Sequence, residues 1–117
     1  MKISEIREIL DAEAFNEGED YTVECGFGCD LMSDVLAFVQ HDTVLLTGAV
    51  NPQVIRTCEV VDIHAIVFVR GKKPSEEIID LADCADIQLL GTDHSLYNTC
   101  ALLHEAGLPG EEIENDF

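Results

Sequence analysis

Apolar and polar positions follow two rhythms along this chain, one helical and one extended. Ile6, Ile9 and Leu10 share one face of a first helix that Ser4 can cap, and Asn16-Glu17-Gly18-Glu19-Asp20 after it is turn chemistry. Tyr21-Thr22-Val23-Glu24-Cys25 has strand composition and leads into a glycine-rich loop, Gly26-Phe27-Gly28-Cys29-Asp30. Asp30 can cap a helix that carries Leu31, Val35, Leu36 and Val39 inward.

The same unit then returns. Thr43 to Leu46 is a continuous apolar strand ending in Thr47-Gly48, and Asn51-Pro52 supplies a cap followed by proline at the first helical position. Val54, Ile55, Cys58 and Val61 form the buried stripe of that helix. Ala65 to Val69 is apolar at every position, the pattern of a strand covered on both faces, and Ser75 caps a helix through Ile78, Ile79 and Ala82. Ile87 to Leu90 is a further strand. Asp93 or Ser95 can cap a last helix with Leu96, Cys100 and Leu103, which Gly107 terminates.

Strands alternating with helices at this spacing need crossover connections, which predicts a three-layer α/β/α sandwich around a mainly parallel sheet. The expected division is one domain over residues 1–108 and an acidic tail over 109–117. The length of 117 residues and an apolar share of 47% suit a single core. With no apolar run near membrane-spanning length and no basic-then-apolar leader, a cytoplasmic location without membrane contact is expected.

Charge narrows the partners. Twenty-four acidic against six basic residues give a net charge of -18, which repels nucleic acid phosphates and anionic lipid. The same acidity also suits a solvated or halophilic surface. Cys25, Cys29, Cys58, Cys84 and Cys100 are odd in number, so reduced thiols are expected rather than a disulfide framework.

In open α/β sheets, ligands gather at the carboxyl ends of the strands. The stretches expected there are Gly26 to Gly28, Thr47 to Asn51 and Arg70 to Pro74. Four of the six basic residues, Arg56, Arg70, Lys72 and Lys73, fall between positions 56 and 73. Together with Thr47, Gly48 and Asn51 they make a candidate site for a small anionic ligand, with Gly26 and Gly28 as a further loop candidate. The competing reading is a solvated basic loop paired with surrounding acids. No phosphate-loop or dinucleotide fingerprint is present.

Cys25-x-x-x-Cys29 is the best metal or redox candidate, yet it offers only two thiols, so no metal and no cofactor are expected there. Small apolar thiols packed under a loop are the expected state. Cys58, Cys84 and Cys100, on helical faces, are expected in the core. Asp93 and His94 read as a cap and a surface histidine. No serine elbow or histidine-glutamate zinc motif is present, and no catalytic residue is assigned.

Asp30-Leu31-Met32-Ser33-Asp34-Val35-Leu36-Ala37, Leu45 to Thr57, and Ala65-Ile66-Val67-Phe68-Val69-Arg70-Gly71-Lys72-Lys73-Pro74 closely resemble the DRTGG domain family in its stand-alone form. The resemblance runs from Lys2 to Gly107. The literal Asp-Arg-Thr-Gly-Gly string is absent, and Thr47-Gly48-Ala49-Val50-Asn51-Pro52 stands in its place. The resemblance implies a fold like the amino-terminal domain of HPr kinase, without the kinase's phosphate loop or its activity. It also implies a regulatory role, as in relatives beside CBS domains of pyrophosphatases and in phosphotransacetylases, and a link to hydrogenase genes of anaerobes. It carries no established catalytic residues.

The function expected is a non-catalytic regulatory module that senses a nucleotide or phosphorylated small molecule. The alternatives are a protein-interaction or accessory subunit of a hydrogenase or electron-transfer system with a redox-protein partner, and a cysteine-ligated metal carrier. A short edge strand and dimeric relatives make a homodimer the expected state.

Overall fold

In the computed structural model, residues 1–113 are described. A first helix, α1 (Ile3–Ile9), precedes a two-residue strand, β1 (Glu13–Ala14). Four strand–helix units follow: β2 (Cys25–Gly28) and α2 (Met32–Phe38), β3 (Thr43–Thr47) and α3 (Pro52–Val60), β4 (Ala65–Phe68) and α4 (Glu76–Cys84), β5 (Gln88–Gly91) and α5 (Leu96–Glu105). The sheet order is β1-β5-β4-β3-β2. β2 to β5 run parallel, and β1 joins β5 antiparallel through Glu13 opposite Gly91.

The pleat sends alternate side chains to opposite faces, and two cores result. Leu45, Ile66, Phe68 and Leu89 face α2, α3 and α4, where Met32, Val35, Val54, Ile55, Cys58, Ile78 and Ala82 meet them. Val44, Leu46, Ala65, Val67 and Leu90 face α1 and α5, covered by Ile3, Ile6, Leu10 and Leu103. This is the expected three-layer sandwich. β3 and β4 are buried at every position.

Three caps follow the sequence. Asn51 accepts from the Val54 amide, Ser75 from Ile78 and Ser95 from Asn98. Gly107, at φ +105, ends α5.

Two expected caps do not form. Lys2 stands at the head of α1, while the Ser4 hydroxyl donates to Asp20 Oδ2 at 2.7 Å. Asp30 is drawn away to β3, so Leu31 precedes α2 and Met32 with Val35 takes the inward face. Leu31 and Leu36, expected inside, are 58% and 49% exposed. Cys84, expected in the core, is also exposed.

The larger correction concerns β2. Tyr21 to Val23, expected as strand, line up with the amino terminus instead: Thr22 bridges Lys2, and the Val23 amide donates to Met1 O. Gly26-Phe27-Gly28 is the strand, not a loop. A Cβ on Gly28 would lie 2.7 Å from Cys100 Sγ and 3.4 Å from Leu96 Cδ1. The missing side chain is what lets α5 approach the edge strand. Pro109 to Glu111, placed by sequence in the acidic tail, run along that edge: Gly26 donates to Pro109 O, and Glu111 donates to Gly26 O. The tail's last four residues, 114–117, lie outside the described residues.

Two stability outcomes follow from this packing. Phe68→Ala, fully buried at the carboxyl end of β4, is expected to cost about 3–5 kcal/mol in urea unfolding. Gly28→Ala is expected to cost about 1–3 kcal/mol by overpacking, and a second change, Cys100→Ala, should recover most of that loss.

Candidate functional site

The carboxyl ends of β2, β3, β4 and β5 open on one side of the sheet, and the loops there form a polar cluster. Asp30 reaches across from the end of β2. Its Oδ1 accepts from the Thr47 hydroxyl at 2.9 Å and from the Gly48 amide at 2.7 Å. These bonds, the Gly48 amide foremost, together with the charge of Arg70, hold the Asp30 carboxyl below its ordinary value of 3.8 against a modest burial penalty.

Arg70 completes the cluster. It stands at φ +59, a left-handed conformation that a non-glycine residue adopts at a cost, and Gly71 follows at φ +69. The loop after β5 braces both: the Arg70 amide donates to His94 O at 2.8 Å and the Gly71 amide to Thr92 O at 2.9 Å. That bend lays the Arg70 guanidinium on Gly48, where a Cβ would lie 2.6 Å from Nη2. Gly48 is therefore the place where the arginine and the backbone approach closely. Among the described residues Arg70 makes no ion pair within 4.0 Å.

Of the residues expected in an anion site, the structure brings Thr47, Gly48 and Arg70 together. Asn51 spends its side chain on the Val54 amide. The guanidinium of Arg56, exposed on α3, makes no hydrogen bond or ion pair among the described residues. Lys73 lies at the other edge of the sheet, 3.7 Å from Glu13 of β1, and the Lys72 carbonyl lies near Gly91 of β5. Asp30, which sequence reads as a helix cap, is the member that reasoning missed. Its partner amide, Gly48, was expected to be free for a ligand and is instead occupied by this carboxylate.

Gly26 and Gly28 belong to β2 and wall a cavity of about 530 Å³ under α5, lined also by Phe27, Tyr97, Cys100 and His104. Cys25 and Cys29 stand at opposite ends of β2. A strand rise of about 3.3 Å per residue puts their Cα atoms about 13 Å apart, too far to share a metal ion.

Cys25 has other neighbours, at the amino-terminal end of the strand. One carboxylate, that of Glu111, collects four donors. Oε2 accepts from the Cys25 thiol at 2.9 Å and the Thr43 hydroxyl at 2.7 Å. Oε1 meets His41 Nδ1 at 2.7 Å and accepts from the Gln40 amide at 2.9 Å. Burial pushes the Glu111 carboxyl up, and these bonds overcome it and hold it at about 2. Burial and the bond to Glu111 push the Cys25 thiol up to about 11, which makes it a donor and not a ready nucleophile. No spacing announces this group, since Glu111 lies 86 residues from Cys25 and 70 from His41.

A small three-layer α/β domain with charged groups gathered at the strand ends is the class these features define. Residues 5–106 match the DRTGG domain, and the chain belongs to that family. Among solved structures it is similar to the crystal structure of the CBS and DRTGG domains of the regulatory region of Clostridium perfringens pyrophosphatase, complexed with its activator diadenosine tetraphosphate. The TM-score is 0.75 at 21% identity, over 97% of this chain. This chain corresponds to about half of that one, 51% of its length. No curated protein matches the chain. Among the described residues no helix is long and apolar enough to cross a membrane.

The Asp30 bonds carry a pH signature. A carboxyl with a depressed folded value adds stability above its ordinary 3.8, and that increment is lost as the pH falls through the depressed value. Asp30→Ala should cost about 1 kcal/mol at neutral pH, below the about 1.5–3 kcal/mol of a charge-assisted bond because Asp30 is exposed and screened. In urea unfolding, the gap between wild type and variant should narrow steadily below pH 3.8.

Proposed function

We propose that this chain is a non-catalytic regulatory module that binds a nucleotide or phosphorylated small molecule where Thr47, Gly48 and Arg70 meet. The observation that carries the reading is the Arg70 guanidinium, set on Gly48 by a strained, braced loop and free of an ion-pair partner among the described residues. Backbone strain held in place by a neighbouring loop is a feature of ligand sites, and a planar guanidinium is suited to phosphate oxygens. α3 begins beside it, adding the partial positive charge of a nine-residue helix. Membership of the DRTGG family supports the regulatory role, and diadenosine tetraphosphate bound to the pyrophosphatase region supports the ligand class.

Asp30 gives the site its switch-like chemistry. A phosphate approaching Gly48 competes with the carboxylate for the same amide and hydroxyl, so binding displaces Asp30 or uses Arg70 alone. The repulsion of an internal anion lowers affinity and tunes the response to ligand concentration.

The exposed Leu31, just before α2, and Leu36 within it support the second part of the proposal, that the module works as a homodimer.

Calorimetry with AMP, ADP, ATP and diadenosine tetraphosphate tests the ligand reading. At least one should bind, and Arg70→Ala should weaken it by about tenfold to a hundredfold, the effect of losing one charge-assisted contact. Asp30→Asn should tighten it. Equal affinity in wild type and Arg70→Ala, or no binding by any of the four, overturns the reading. Light scattering should return twice the 12.9 kDa chain mass, and Leu36→Glu should halve it; a wild-type monomer at micromolar concentration removes the dimer.

A further inference from the structure

At the opposite end of the sheet from Arg70, a thiol, an imidazole and a carboxylate converge from three separate parts of the chain. Cys25 Sγ, one ring nitrogen of His41 and one Glu111 oxygen all lie within 4.8 Å of one another. We propose that Cys25, His41 and Glu111 form a binding site for a zinc-class divalent cation, with water at a fourth, outward position.

The donor set is the first ground. Sulfur, nitrogen and oxygen ligands in one site select zinc and its first-row neighbours over magnesium or calcium, which take oxygen alone. Distance is the second. Tetrahedral zinc with bonds of about 2.0 to 2.3 Å sets its donors about 3.4 to 3.6 Å apart. One oxygen of Glu111, Cys25 Sγ and one His41 nitrogen lie within 4.8 Å of one another. Thiol and imidazole now sit on different oxygens, at 2.9 Å on Oε2 and 2.7 Å on Oε1, so shifts of about 1 Å in the carboxylate and the exposed His41 ring would bring all three onto one ion. The cation would replace the protons that Cys25 and His41 now direct at the two oxygens of Glu111. On binding, the Cys25 thiol gives its proton to solvent, and His41 coordinates through Nδ1 with its remaining proton on Nε2.

Support around the ligands is the third ground. The Glu111 side chain is buried while that of His41 is 52% exposed, which fixes two donors and leaves the third as the door. The Thr43 hydroxyl and Gln40 amide hold the carboxylate from behind, the outer contacts that orient metal ligands. Thiolate and carboxylate together balance the charge of the cation. Glu24 and Glu112 add negative potential at His41, and a chain of net charge -18 gathers cations at its surface. The site lies at the far end of β2 from the proposed anion site, so the two can fail separately.

The test uses the full chain, stripped of metal and titrated with cobalt and then zinc. One equivalent of cobalt should produce thiolate-to-cobalt charge-transfer absorption, and zinc should abolish it. Cys25→Ser should remove the absorption. His41→Ala, at an exposed position that leaves the core intact, should weaken binding by at least about tenfold. Cys29→Ser should bind as wild type does. No charge-transfer absorption in the wild type, absorption retained in Cys25→Ser, or unchanged affinity in a folded His41→Ala overturns the assignment.

Discussion

Parallel pairing of β3 with β4 at the middle of the sheet governs where everything else in this molecule stands. Parallel neighbours cannot be joined by a tight turn, so each connection carries a helix across a face. With β3 and β4 covered on both sides, their side chains leave no room for polar chemistry between the layers. Polar clusters in contact with the sheet are left to its strand ends and edges. Both clusters described here obey that constraint, one at each end of the sheet.

At the carboxyl ends, the polar groups are not simply presented to solvent. Asp30 satisfies the Gly48 amide and the Thr47 hydroxyl, while Arg70 is placed over the same glycine by a loop that the β5–α5 connection holds. The module therefore carries its own anion and its own cation at one point of backbone. Any group that takes the Gly48 amide has to displace Asp30 from it, whereas contact with Arg70 alone leaves the carboxylate in place.

The other edge is closed differently. Gly28 lets α5 come close to β2, and the chain after α5 then returns along the strand, bonding through Pro109 and Glu111 to Gly26. That return carries a carboxylate into contact with Cys25, Thr43 and His41. An edge strand that would otherwise offer bare backbone groups to another chain is thereby covered by the segment that follows α5.

Much of this was legible in order along the chain. The strand–helix alternation, the caps Asn51, Ser75 and Ser95, and the uninterrupted apolar run of β4 depend on residues a few positions apart, and local periodicity reports such arrangements directly. The three-layer sandwich follows from them because parallel strands allow few other solutions. Tertiary structure decided what depends on contacts between distant segments. The glycines at 26 and 28 look like a loop until β3 pairs with them and α5 packs on Gly28. Asp30 looks like a cap until Thr47 and Gly48 claim it, and Cys25 looks paired with Cys29 until the strand pulls them apart and brings Glu111 back. A helix cap or an apolar stripe is fixed by the backbone's own repeat. A carboxylate's partner is whichever donors the fold delivers to it, and only the assembled sheet determines those.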